Sequence, residues 1–520
     1  DPRLAAVAGS VMSTHTHLMP RGRLLDRRGR LLAASVLSHH LFIDPQIVED
    51  VDTIAVDLHE HLGLDPVTID QALLERPDSR YIVVARHLDP ADVGLVRQLD
   101  LPGVGLTEVL RRAYPNERVG AGVIGFVGTE HTGLAGFETR FQDTLHATPG
   151  VTRYLRAARR QPLWIEPEDY TPGAAGSDIR ISLDLVLQDF VERRLREAVA
   201  KHDAAGGRAL LLDARTGEIL AMCDVLSENP ERRGWLEDPL RRHHPALGRN
   251  RCVTDPWEPG SIFKPFVWAA VTEAGLARPE EIFPCPDRPA YRTSQGRRIE
   301  DAHYYGSVDW STVLVKSLNS GMAMGAERLS HRQMQALIRR FGFGETTRSG
   351  LPGESRGLVT DAADWSHYTQ TSVAMGHEIA VTPLQMARAF AVFARDGTLP
   401  PVRCRPPAPD DVEMINHVIR PETARLTRET LLHVVEGTAL EDETYRIFGK
   451  SGTAQLPRPE GGGYFDDRYA SSFIAGAPLD RPRLVALCVI DDPDRSTGYY
   501  GRLVAGPVNR DTLVFALKYF

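Results

Sequence analysis

Of the 61 basic residues in this chain only five are lysines, Lys201, Lys264, Lys316, Lys450 and Lys518, and three of them stand in or beside short serine-containing segments. Arginine keeps its proton in a protein, whereas a desolvated lysine can lose it, and a compact ammonium fits where a guanidinium fork does not. A chain that uses arginine wherever a plain positive charge suffices therefore marks its remaining lysines for inspection. Lys201 and Lys518 end helical segments and ask for no further explanation.

Lys264 follows Ser261 by three residues in Glu258-Pro259-Gly260-Ser261-Ile262-Phe263-Lys264-Pro265. The Pro-Gly turn predicts a helix start, which places Ser261 and Lys264 on one face a turn apart and Ser261 at the positive end of the helix dipole. Pro265 fits such a helix only in its first turn. Lys316 precedes Ser317-Leu318-Asn319, and Lys450 opens Lys450-Ser451-Gly452-Thr453. Ser-x-x-Lys alone is a chance-level match, but here Ser-x-x-Lys, Ser-x-Asn and Lys-Ser/Thr-Gly occur in order, 56 and then 133 residues apart.

These residue types suit acyl transfer. Serine needs an adjacent base, which a neutral Lys264 supplies if burial and neighbouring cations lower its pKa. Ser317 can then relay the proton to a leaving amine, and Asn319 can hold a peptide group of the substrate. Lys450 offers positive potential to a terminal carboxylate that the Ser451 and Thr453 hydroxyls can bind, while Gly452 lets substrate approach the strand. The backbone N–H groups of Ser261 and Thr453 are the expected oxyanion hole.

The rest of the composition excludes more than it identifies. A net charge of −8 leaves no basic stripe for a nucleic acid. Cys223, Cys252, Cys285, Cys404 and Cys488 are scattered without a paired spacing, so isolated buried thiols are expected, not zinc ligands or a disulfide framework. His15/His17, His39/His40 and His243/His244 lack a third ligand, and no metal or other cofactor is expected. No apolar run near either end approaches the roughly 20 residues of a spanning helix.

Along the chain, residues 1 to about 170 read as an irregular α+β region with an Arg-rich start at Arg21, Arg23, Arg27, Arg28 and Arg30, whose expected role is local salt bridging within that region. Small, turn-forming residues from Tyr170 to Gly176 set the predicted boundary, giving domains 1–175 and 176–520. An amphipathic helix is predicted from Leu183, and a hairpin joins Ala209–Leu212 to Glu218–Met222 across Thr216-Gly217. A mostly helical middle follows, then strands at Ser472–Ala475 and Leu484–Ile490 and a closing helix over Arg510–Phe520. The fold class is α+β, an antiparallel sheet with helices segregated around it. With every motif beyond Asp178, the first 170 residues are expected to be dispensable for acylation.

The motif set resembles that of the class B penicillin-binding proteins, and the likeness covers nearly the whole chain. Arg21-Gly22-Arg23-Leu24-Leu25-Asp26-Arg27-Arg28-Gly29, Val123-Ile124-Gly125-Phe126-Val127-Gly128 and Gly133-Leu134-Ala135-Gly136-Phe137-Glu138 look like signatures of that family's N-terminal pedestal or dimerisation domain. Asp213-Ala214-Arg215-Thr216-Gly217-Glu218 resembles the first hairpin of its transpeptidase sheet, and Thr382-Pro383-Leu384-Gln385 a late helix start. Ala470-Ser471-Ser472-Phe473-Ile474 and Tyr499-Tyr500-Gly501 are similar to the septal, cell-division branch, whereas Arg502 replaces a usual glycine and Asn509 a common aromatic residue. The resemblance implies a peptidoglycan D,D-transpeptidase acting on stem peptides and acylated by β-lactams. It also implies one membrane-spanning helix ahead of Asp1, domains outside the cytoplasmic membrane, and a glycan-polymerising glycosyltransferase as partner. A β-lactamase or β-lactam sensor, and a catalytically inactive wall-synthesis scaffold, are the alternatives.

Overall fold

The computed structural model describes residues 12–156, 162–164, 170–236, 238–288, 290–411, 415–458 and 462–520. Residues 1–11, with the start at Asp1, lie outside these.

The N-terminal part is organised by one long strand, β1 (Leu31–Ile43), whose partners are β2 (Ile82–Leu88) and β3 (Val104–Ala113). Helices Val51–Leu62, Pro66–Glu75 and Pro90–Leu99 cover it, and Ile54, Leu58, Ile69, Leu73 and Val96 pack with Leu41, Ile43 and Ile82 into a separate small core. A second sheet joins Met12–His17, Gly150–Arg156, Pro162–Trp164 and Tyr170–Thr171. The turn-forming segment before Gly176 thus belongs to a pedestal sheet. The chain leaves the pedestal only after Ile179 and Ile181 have donated N–H bonds to Arg23 and Leu25.

The C-terminal part begins with helix α1 (Leu185–Lys201) and the hairpin β4 (Gly206–Asp213) and β5 (Ile219–Leu226). Helix α1 starts two residues later than expected because Asp184 caps it, accepting from the N–H groups of Val186 and Leu187. The middle supplies helices α2 (Lys264–Glu273), α3 (Trp310–Val315), α4 (Asn319–Ala326) and α5 (Pro383–Ala394). Thr382 and Gln385 close a reciprocal capping box on α5. Then come β6 (Phe448–Pro457), β7 (Tyr464–Ala477), β8 (Leu484–Asp491) and α6 (Gly506–Tyr519), which begins earlier than Arg510.

The five strands form one antiparallel sheet in the order β5-β4-β8-β7-β6. Every residue of β4 and β8 is buried, because both faces are covered. Period-two alternation sends Ala209, Leu211, Ala486 and Cys488 to the core under α1 and α6, and Leu210, Leu212, Val485 and Leu487 to the core containing α2 and α5. Asn509 occupies its buried position by donating from Nδ2 to the carbonyls of Phe473 and Ala486, so it ties α6 to the two central strands. All five cysteines are free and buried.

The arginine-rich start corrects a sequence expectation. Arg21 pairs within the pedestal, with Glu138, and Arg30 with Asp26 at 3.3 Å, but Arg27, Arg28 and Arg30 also reach out of it. Arg28 Nε and Arg30 Nη1 meet the fully buried carboxylate of Asp184 at 3.0 and 3.2 Å, Arg27 meets Glu218 at 3.4 Å, and Arg30 Nη2 donates to the Tyr519 hydroxyl. Arg28 also lies over the Tyr519 ring and Arg27 over Phe520. Beneath these contacts one core cluster contains Leu24, Leu32, Phe137 and Phe141 together with Leu210, Ile262 and Phe263. The pedestal and the sheet domain share buried apolar surface, and the expectation that the pedestal can be discarded changes accordingly. A fragment beginning at residue 176 is predicted to aggregate or to melt below the intact chain; an equal melting temperature would show that the shared core contributes nothing.

Candidate active site

Three backbone features assemble the site. The first is the turn carrying Ser261: Gly260 has φ of 57°, residues Gly260–Phe263 form one 3₁₀ turn, and α2 continues from Lys264 with Pro265 in its first turn. Ser261 and Lys264 therefore share a face. Gly260 N–H donates to Gly376, itself at φ of 82°, and a Cβ on Gly376 would stand 2.1 Å from the Gly260 oxygen. Only glycine permits that approach.

The second is the end of α3. Ser317 sits at φ of 60°, with its N–H bonded to Leu314 and the N–H of Leu318 bonded back to Val313, a Schellman-type stop with serine where glycine is usual. A non-glycine residue held left-handed beside reactive groups is strain maintained by its surroundings. The restraint comes from Asp301, a buried carboxylate that accepts from the N–H groups of Asn319 and Ser320 and from the Ser320 hydroxyl, capping α4 immediately after the stop. Trp268 Nε1 donates to the Trp310 carbonyl at 2.9 Å and Trp310 Nε1 to Thr272 at 3.0 Å, which locks α2 to α3.

The third is β6, the edge strand. Its alternation buries Lys450, Gly452 and Ala454 and leaves Ser451 and Thr453 half-buried. A Cβ on Gly452 would meet the Ser472 hydroxyl at 2.8 Å, Pro259 O at 2.9 Å and Ile262 at 3.1 Å. Gly452 is thus required for the strand to lie against the Ser261 turn, whereas the sequence reading had given it to substrate approach. Thr453 Oγ1 accepts from the N–H of Gly501 at 3.1 Å, and Ser471 of β7 donates to the Tyr499 carbonyl, so the Tyr499-Tyr500-Gly501 segment lies over both β6 and β7.

These features bring together Ser261, Lys264, Ser317, Asn319 and Lys450. Lys264 Nζ lies 2.6 Å from Ser317 O, 2.6 Å from Asn319 Oδ1 and 3.2 Å from Ser317 Oγ. Lys450 Nζ lies 2.9 Å from the same Ser317 Oγ and 3.1 Å from Ser451 O. Both lysine side chains are buried. Burial first, and then the charge of Lys450, holds Lys264 well below the usual lysine range against a smaller opposing pull from Asp301; burial brings Lys450 down to about 7. A neutral Lys264 has two N–H groups, which match its two 2.6 Å acceptors, and its lone pair remains for a serine proton. The Ser261 hydroxyl has no hydrogen bond among the described residues, and its N–H, at the start of the 3₁₀ turn, has no intrahelical acceptor. Alternate N–H groups of edge strand β6 lack a ladder partner, which suits Thr453 to the second oxyanion donor.

Asn319 also makes contacts that the sequence did not assign to it. Its oxygen accepts from Lys264 and its Nδ2 donates to Glu300 O at 2.9 Å, so it orients the base. Sequence reading also gave no role to Asp301, Glu258, His377 or Tyr464. Glu258 accepts from the Tyr464 hydroxyl at 2.8 Å and from the Glu378 N–H at 2.9 Å, and lies 3.0 Å from His377 Nδ1, so it clasps three segments just ahead of the nucleophile turn. Among the described residues no group of three His, Cys, Asp or Glu side chains could hold a metal.

A serine at a helix start, a buried lysine pair and an edge strand beneath a helical lobe define a serine acyl-transfer enzyme of the penicillin-recognising class. Residues 207–513 match the penicillin-binding protein transpeptidase domain and residues 16–181 the penicillin-binding protein dimerisation domain. The chain is 32% identical to the probable peptidoglycan D,D-transpeptidase PenA of Neisseria meningitidis, over 96% of this chain and 84% of that one. It is likewise 32% identical to the peptidoglycan D,D-transpeptidase FtsI of Escherichia coli, over 94% and 82%. Its structure superposes on penicillin-binding protein 3 of Mycobacterium tuberculosis complexed with aztreonam with a TM-score of 0.72 at 25% identity, covering 97% of each chain. The chain belongs to the class B penicillin-binding proteins, with a pedestal domain ahead of a transpeptidase domain.

Two measurements test the geometry. Asp301→Asn is predicted to slow penicillin acylation by about 10- to 100-fold, through misplacement of Ser317 and Asn319, with a normal melting profile; an unchanged rate would remove Asp301 from the positioning of the site. Lys450→Met is predicted to abolish rapid acylation yet raise the melting temperature at neutral pH. The unfolded chain binds more protons than the folded one between about 7 and the lysine value near 10.4, so giving up the Lys450 proton on folding costs stability there and stability rises with pH across that window. In the methionine variant that rise is reduced.

Proposed function

We propose that this protein is a peptidoglycan D,D-transpeptidase that cross-links stem peptides through a Ser261 acyl-enzyme, and that it works at the division septum. The observation that carries the reading is the Lys264–Ser317–Lys450 arrangement, one hydroxyl between two buried amines beside an unbonded nucleophile. Septal similarity rests on relatives such as FtsI and on the Tyr499-Tyr500-Gly501 segment. Residues 1–175 are taken as the pedestal and 176–520 as the catalytic domain.

In the proposed reaction Ser261 Oγ attacks the carbonyl of the D-Ala-D-Ala bond while Lys264 takes its proton. The carbonyl oxygen becomes an oxyanion held by the N–H groups of Ser261 and Thr453, worth a few kcal/mol. The C–N bond breaks, and the proton passes from Lys264 through Ser317 to the leaving D-alanine amine. A second stem peptide's amine then attacks the ester, its proton returns by the same relay to Ser261, and the cross-link is released. Lys450, Ser451 and Thr453 bind the terminal carboxylate, and the approaching anion restores the charge that burial suppresses on Lys450. A β-lactam enters the same route and stops at the ester. We further propose a single membrane-spanning anchor preceding the described domains and a glycan-polymerising glycosyltransferase as pedestal partner, as the family membership supports; among the described residues no helix is long and apolar enough to cross a membrane.

Intact-protein mass spectrometry after penicillin treatment is expected to show one added drug mass, mapping to the Ser261 peptide; no adduct, or one elsewhere, would overturn the assignment. Lys264→Arg is expected to lose acylation by about 10²–10⁴-fold with an unchanged melt, because a guanidinium keeps its proton. A rate within about threefold of the parent, a span too small for a lost general base, would show that Lys264 is not the base.

A further inference from the structure

A cavity of about 780 Å³ lies between the pedestal and the transpeptidase domain, and none of the Ser261, Ser317 or Lys450 motif residues lines it. Its pedestal wall is the end of β3, where Arg112 and Tyr114 fall on one face by strand periodicity, with His131 from the following loop. Its other wall includes His244, joined to Tyr114 through Phe126 by ring contacts of 4.7 and 6.2 Å.

The charge behind this wall does not balance. Arg21 and Arg112 are both buried and share one carboxylate, Glu138, each at 2.8 Å. Arg21 spends its remaining donors on the carbonyls of His131 and Glu138 and on Gln142, whereas Arg112 gives Nη1 to Gly22 O and keeps Nη2 buried without a partner. Asp178, the other carboxylate that feels Arg112, is held by Arg23. One positive charge is therefore buried without a counter-charge, which is costly unless something supplies it. Two more buried atoms at the cavity also lack partners, the Tyr114 hydroxyl and His131 Nδ1. Arg111 and Arg118 stand at its exposed edge, against a single free carboxylate in the lining, Glu117. Burial, then His40 and the neighbouring Arg111 and Arg86, lowers His87, and burial lowers His131 with Arg112 and Arg21 pulling the same way against a hydrogen bond to the Leu110 backbone.

We propose that this cavity binds a small oxyanion, a phosphate or carboxylate group, through Arg112 Nη2, the Tyr114 hydroxyl and His131 Nδ1, with Arg118 at the mouth. The ligand supplies the missing negative charge and is held by pedestal residues, with His244 of the transpeptidase domain across the cavity. This site is separate from the acyl-transfer reading and does not depend on it.

Calorimetric titration of the intact protein with inorganic phosphate and, separately, with acetate at low ionic strength tests it. Saturable one-to-one binding of at least one ion is expected, and the ion that binds identifies the group. Tyr114→Phe, which keeps the ring packing, and Arg118→Gln are each expected to weaken binding about fivefold or more, consistent with loss of one hydrogen bond or one charge contact. Penicillin acylation of Tyr114→Phe is expected to match the parent. Absence of saturable binding by both ions, or binding that neither substitution weakens, would overturn the proposal and leave the three orphaned atoms to water.

Discussion

Two lysines are buried around one serine hydroxyl, and much of the surrounding architecture exists to hold them there. Each ammonium loses hydration that the protein does not fully replace, and no carboxylate touches either Nζ. The protein responds by letting the protons go: burial of both, and for Lys264 also the charge of Lys450, favours the neutral amine, which is the form a base must have. The cost is local instability, and it is offset by rigid neighbours, helix α2 (buried from Lys264 to Val271), the tryptophan pair that fixes it to α3, and the Asp301 cap on α4. Stability and reactivity oppose each other at these positions.

The chemistry was legible in the sequence because it depends on residue types in order. Serine, lysine and asparagine at fixed short spacings leave few alternatives, and the scarcity of lysine sharpened the signal. The strands that read clearly were the two-sided apolar runs of β4, β8 and the second half of β7, from Ala470 to Ala477, which are buried throughout. Less legible was anything decided by close approach across the fold. Gly452 carries no mark distinguishing a glycine that admits substrate from one that admits the Pro259–Ile262 turn; only the distances decide. Asp301 and Glu258 are ordinary acids in sequence, and their work depends on partners 18 and 206 residues away. The helix starts were displaced by a residue or more where caps, not hydrophobic periodicity, set the boundary, as Asp184 does for α1.

The arginines near the start show the same limit at domain scale. Read locally, Arg27, Arg28 and Arg30 look like surface charges that pair with acids of their own region. In space they reach the N-cap of α1 and the last aromatic residues of α6, elements at opposite ends of the catalytic domain's sequence. Beneath them the apolar core runs from Leu24 and Phe137 to Phe263 without interruption. The pedestal is therefore attached through the same core that supports the nucleophile turn, and a mechanical load on it has a short route to Ser261.

The edge position of β6 has a further consequence. An unpaired edge is ordinarily an invitation to aggregate, because any extended chain can add to it through backbone bonds alone. Here the edge lies in a slot, with the Pro259–Ile262 turn pressed against Gly452 on one side and Gly501 bonded to Thr453 on the other. With a wall on either side, the strand offers its backbone only along that edge, and an incoming chain must lie between the Pro259–Ile262 turn and Gly501 to pair with it.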